Sequence, residues 1–158
     1  MMRKGLLLVF CLAVLGSVTL AQTKIETKWH CNNPAVTHKL DVGDMPDHSY
    51  SIAQGTCTAT TSSAGEKSGA YTEFDETWKA SMTGHGRFNV TMDNGDMEYY
   101  TYETSGPTDT KKPAANKWKI VGGTGKEKGV KASGSCSGTR SDDGSSDWTC
   151  SGTKAKAM

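Results

Sequence analysis

The sequence predicts an all-β protein: a single small antiparallel β-barrel of about eight strands, with a β-sandwich as the alternative. Three observations carry this. Only 35% of the 158 residues are hydrophobic, while Gly, Ser and Thr are abundant. Such a composition suits small β domains better than helical bundles, where Leu, Ala and Glu dominate. Apolar residues alternate with polar ones in short runs, the signature of half-buried strands. Turn residues punctuate those runs every 8–15 residues, and no stretch reads as a long helix.

The first 21 residues read as a signal peptide. Met1-Met2-Arg3-Lys4 is a short positive start, and Leu6–Leu15 is an apolar run of ten residues. Small residues at Thr19 and Ala21 fit a cleavage site before Gln22. Ten apolar residues are too few to span a bilayer, which takes about twenty. Cys11 does not fit a lipoprotein site, because Phe10 precedes it. Residues 22–158 are then one domain, expected to be secreted or periplasmic with no membrane span after cleavage. The chain carries 18 basic and 17 acidic residues, and losing Arg3 and Lys4 leaves 16 against 17. That balance excludes a generally basic nucleic-acid binder.

Each strand follows from local pattern. In Lys24–Cys31, Ile25, Thr27, Trp29 and Cys31 share one face, and Asn32-Asn33-Pro34 stops the run. A short strand over 37–42 ends at Gly43-Asp44-Met45-Pro46-Asp47. His48–Thr60 is a long strand, with Gly55 marking a bulge or bend. Tyr71–Thr83 fits both a helix and a strand, and its β-branched and aromatic content favours one strand bearing Thr72, Phe74, Glu76, Trp78, Ala80 and Met82 on a face. Arg87–Met92 and Met97–Tyr102 flank Asp93-Asn94-Gly95-Asp96, and Asn-Gly predicts a type I′ hairpin. Counting outward pairs Met92 with Met97, Val90 with Tyr99 and Phe88 with Thr101. Strands at 118–121, 130–136 and 147–152 complete the set, and the tail from Thr153 is expected to fray.

Export changes the reading of the cysteines. Four remain after Cys11 is removed, and an even count in an exported domain argues for two disulfides. Cys136 and Cys150 flank a hairpin-like stretch turning near Asp143-Gly144, which sets them opposite each other and leaves Cys31 for Cys57. No Cys-x-x-Cys spacing supports a metal site.

The stretch Trp118-Lys119-Ile120-Val121-Gly122-Gly123-Thr124-Gly125-Lys126 resembles the strand–Gly-Gly-Thr-Gly-Lys–turn of the allene oxide cyclase and dirigent-like barrels. Val42-Gly43-Asp44 with Pro46, His48 and Tyr50, then Gln54-Gly55-Thr56-Cys57, is similar to a group of uncharacterised exported bacterial proteins. The resemblance implies a closed antiparallel barrel, but no catalytic position of those families matches residue by residue. Gly125-Lys126 is not a phosphate-binding loop, since Glu127 stands where Ser or Thr is needed and no helix follows.

Candidate chemistry rests on two groups. Glu76 shares its strand face with Phe74 and Trp78; inside an apolar cavity it would have a raised pKa and could act as an acid or base. On the outer face of the barrel it would simply be solvated. Arg87, Glu98, Tyr100 and Tyr102 fall on one hairpin face and could orient a ligand, or form a wet outer surface. Asp44, Asp47 and His48 around Pro46 are explained by a turn. The seven lysines between Lys111 and Lys131 are read as protecting strand edges. The expected function is binding of a small, largely apolar molecule in or at the mouth of the barrel, without cofactor, metal or nucleic acid. The alternatives are a cofactor-free isomerase or cyclase and a surface interaction or inhibitor domain.

Overall fold

The computed structural model describes residues 22–155. The expected leader, with Cys11, and the last three residues lie outside the described residues. Nine strands run in order: β1 (Thr23–Cys31), β2 (Val36–Asp41), β3 (His48–Ser62), β4 (Glu66–Trp78), β5 (Ser81–Met92), β6 (Met97–Pro107), β7 (Ala114–Gly123), β8 (Lys131–Arg140) and β9 (Ser146–Ala155). All are antiparallel to their neighbours, in the order β1-β9-β8-β7-β6-β5-β4-β3, and β1 pairs with β3 to close the barrel. That closure excludes the sandwich. β2 is the ninth strand and lies outside the ring, on the first half of β3.

The closing seam is short: Thr27–Cys31 of β1 meets Cys57–Ser62 of β3, with a bulge beside Lys28 and Trp29. Cys31 pairs directly with Cys57, and Cys136 directly with Cys150; both pairs are disulfide-bonded. The hairpin argument therefore holds for the second bridge, and the first staples the seam.

One end of the barrel is filled by Val90, Met92, Tyr100, Ile120, Val130 and Ala132. Buried charge also sits there. Glu98 has no exposed surface, and Lys154 Nζ lies 2.7 Å from its Oε1 and 2.9 Å from Glu127 Oε2. Lys154 belongs to β9, which runs as paired strand through Ala155 rather than fraying from Thr153. The Gly-Gly-Thr-Gly-Lys turn caps the same end: Thr124 Oγ1 accepts from Met97 N at 2.8 Å, and Lys126 N donates to Asp96 Oδ2 at 2.9 Å.

Two expectations about turns are corrected. Tyr71–Thr83 is not one strand but a hairpin, turning at Lys79-Ala80 with Trp78 opposite Ser81. Neither residue signals a turn in sequence; Lys79 takes φ +55, and its N–H donates to Asp47 O at 3.2 Å. The β5–β6 hairpin has a three-residue loop, not a type I′ turn. Gly95 N donates to Met92 O, Met92 N to Asp96 O, and Gly95 alone in the loop has positive φ, +85. This is a type I turn with a glycine bulge. The register moves by one residue, so Val90 faces Glu98 and Phe88 faces Tyr100. A shift of one turns the whole strand over, and Glu98, Tyr100 and Tyr102 point inward.

Gly55 carries no bulge, because the β3–β4 register runs straight through it to Tyr71. The glycine is required by close approach: a Cβ there would lie 2.6 Å from the Tyr71 hydroxyl and 2.7 Å from its ring. Lys117 and Lys119 sit exposed on β7, which is paired on both sides, so they guard no open edge.

Candidate functional site

Beyond the filled end the barrel encloses a cavity of about 440 Å³, opening toward Pro34, Thr37, Thr77, Arg140 and Gly144. Its apolar wall is a chain of rings. Trp29 meets Phe88 edge-on at 5.0 Å between centroids, Phe88 lies 6.2 Å from Tyr100, and Tyr100 meets Trp118 at 5.5 Å. Trp148 and both disulfides also line it.

The polar groups gather nearer the mouth. Alternation along β4 sends Tyr71, Glu73, Asp75 and Thr77 inward, where they stand opposite Phe88, Gly86, Gly84 and Met82 of β5. Tyr102 Oη donates to Glu73 Oε2 at 3.3 Å, and Arg140 Nη2 lies 3.1 Å from Met82 Sδ. Asp75 Oδ1, Asn116 Oδ1 and Trp118 Nε1 are buried with no hydrogen-bond partner among the described residues.

Burial pushes the Glu73 carboxyl up to about 8, with a further upward push from neighbouring Asp75. Burial also raises Asp75, against the opposing pull of its hydrogen bond with Glu73 and the Arg140 charge. The two titrate as a coupled pair, and burial favours a proton held by the pair. Tyr71 is pushed up to about 12, chiefly by burial, and so is a neutral donor. The cavity thus offers a coupled pair of carboxyl groups, a guanidinium and phenol hydroxyls around an aromatic chamber.

Of the residues singled out in the sequence, Tyr100 and Tyr102 line this cavity. Glu98 is buried at the filled end, where it accepts from Tyr100 Oη at 2.5 Å. Arg87 is exposed on β5. Glu76 and Trp78 lie on the outer face, where Trp78 is 38% exposed and Glu76 accepts from Tyr50 at 3.2 Å. His48 is buried between them: Nδ1 is 2.7 Å from Asp44 Oδ1, Nε2 is 3.0 Å from Glu76 Oε1, and its ring packs edge-on against Trp78. Asp44 and His48 are thus part of a clamp on the β2–β3 turn.

Sequence reasoning missed Glu73, Asp75, Arg140 and Asn116. The alternation of β4 was visible, but the apolar residues Phe74 and Trp78 took the outer face and the acids the inner one. The one available signal was Tyr71-x-Glu73-x-Asp75 facing Gly86 and Gly84, and reading it requires the register.

No family model matches the sequence, and no curated protein does either. Solved structures match in shape. The pterocarpan synthase dirigent protein GePTS1 superposes with a TM-score of 0.54 at 13% identity, covering 96% of this chain and 98% of its own. The pterocarpan synthase dirigent protein PsPTS1 gives a TM-score of 0.50 at 13% identity, covering 87% and 97%. The chain shares the barrel fold of these dirigent proteins, and identity this low shows the fold alone.

Proposed function

We propose that this chain is an exported barrel protein that takes one small, largely apolar molecule into its interior, with the molecule's polar end held at Glu73, Asp75 and Arg140. The observation that carries this reading is the cavity of about 440 Å³, aromatic along its wall and polar toward its mouth, the usual make-up of a small-molecule site. Two disulfides suit an oxidising compartment. A barrel acting only through its surface would have no need of such a chamber.

One observation favours a second reading, a cofactor-free isomerase or cyclase. Glu73 and Asp75 form a coupled carboxyl pair, both raised by burial, in the cavity, and paired acids of this kind are what general acid–base catalysis uses. The named activity of the fold neighbours, pterocarpan synthesis, is small-molecule chemistry and lends this reading support by analogy.

Native mass spectrometry of the protein from its exporting host tests the first reading. A co-purified small molecule that is lost on denaturation, and is absent from the cavity-filling variant Ala53→Trp, is the expected result. A bare mass, with no quenching of the interior tryptophans by a panel of apolar compounds, would overturn it. Glu73→Gln separates the readings: a binder keeps its ligand, whereas an enzyme keeps the ligand unconverted.

A further inference from the structure

The barrel wall leaves one edge open. β3 is 15 residues long, β1 covers only its second half, and β2 covers Ser49–Gln54. Among the described residues β2 has no strand on its other side, and all six of its residues are exposed. Such an edge is a row of N–H and C=O groups ready to pair with another strand.

The two faces of β2 differ. His38 and Leu40 face outward, opposite Ile52 and Tyr50, and continue a row of exposed apolar groups that includes Phe74. Leu40 is the most exposed of these, at 69%. On the cavity side, Lys39 and Asp41 stand opposite Ser51 and Ser49, and Lys39 Nζ lies 3.2 Å from Asp41 Oδ1.

We infer that β2 is a self-association edge, through which two copies of this chain pair antiparallel about a two-fold axis at Leu40. That axis sets Leu40 against the partner's Leu40, Lys39 against the partner's Asp41, and Asp41 against the partner's Lys39. Opposite charges directly across an antiparallel pair are favourable, and like charges are not. An axis at Lys39 would oppose lysine to lysine. An axis at His38 would leave Asp41 opposite Ala35 and Lys39 opposite Thr37. An axis between residues would set the apolar face of one copy beside the polar face of the other. Only Leu40 satisfies both charges and covers the most exposed leucine at once. The contact is a short edge, below the area of a stable interface, so the dimer is weak and forms with rising concentration.

Sedimentation velocity across the micromolar to millimolar range tests this on the disulfide-bonded protein, with melting curves as a folding control. Lys39→Glu and Asp41→Lys should each weaken association about tenfold. The two variants mixed should associate with each other as the wild type does. In that mixed pair the glutamate introduced at position 39 faces the lysine introduced at position 41, and the remaining native Asp41 and Lys39 face each other. Leu40→Lys should abolish association. A protein monomeric at every concentration overturns the inference, as does a dimer indifferent to these changes or variants that fail to recover on mixing.

Discussion

Val90 and Glu98 face each other across the β5–β6 ladder, and neither has any exposed surface. A carboxylate in that position is tolerable because Lys154 reaches it from β9 at 2.7 Å and Tyr100 Oη donates to its other oxygen. The last strand is thereby tied to the hairpin at the centre of the chain.

Lys154→Met leaves Glu98 buried without its cation, and should cost about 3 kcal/mol at neutral pH. The double variant with Glu98→Gln should recover much of that loss. Chemical denaturation of the four proteins checks both expectations, and additive losses would show the pair is not coupled.

Stability should fall as pH rises from about 4.5 to about 8. The ordinary glutamate value is 4.5 and burial raises Glu73 to about 8, so across that window the folded state holds a proton that the unfolded state has released. Glu73→Gln should flatten this slope. Melting temperatures at half-unit pH steps measure it, and an unchanged slope would place the raised acid elsewhere.

His48 adds a second, separable loss over part of that range. Its burial lowers the pKa, but the hydrogen bonds to Asp44 and Glu76 outweigh that and raise it above 6.5. Its contribution is full below pH 6.5 and is lost as pH rises through the raised value. Asp44 is depressed below 3.8, mainly by its hydrogen bond to His48, so its share is lost only in stronger acid. His48→Gln should therefore destabilise the protein more at pH 5.5 than at pH 8, with the largest rise in hydrogen exchange at residues 42–47. Equal effects at both pH values would contradict the clamp.

The two disulfides close loops with separations of 26 and 14 residues. Chain entropy alone makes them worth about 3.5 and about 3 kcal/mol. The paired variant Cys31→Ser with Cys57→Ser should lose more than this, because it also unpins the seam between β1 and β3. Cys136→Ser with Cys150→Ser should lose no more than the entropic amount, since β8 and β9 remain paired over ten positions. Denaturant midpoints of the two paired variants decide the order.

What was legible in the sequence was whatever depends on near neighbours. The Cys136–Cys150 bridge follows from a local hairpin, and most strands follow from alternation and the residues that stop it. Inward and outward faces depend on single backbone angles and proved harder. Whether Asp93-Asn94-Gly95 forms a two- or three-residue loop decides which way Glu98 and Tyr100 point. The turn at Lys79-Ala80 is held by a hydrogen bond to Asp47, 32 residues earlier in the chain. On β4 the usual rule is reversed, with Phe74 outside and Glu73 and Asp75 inside. Departures of this kind are expected where a fold gives up stability to build a site.

All four disulfide-bonded cysteines line the cavity. A reductant that enters the cavity to reach the sulfurs competes for volume with anything the barrel holds. On the proposed function, resistance of the bridges to a thiol becomes a measure of occupancy: a loaded barrel should be reduced more slowly than an empty one, which titration of free thiols with and without an added apolar compound checks.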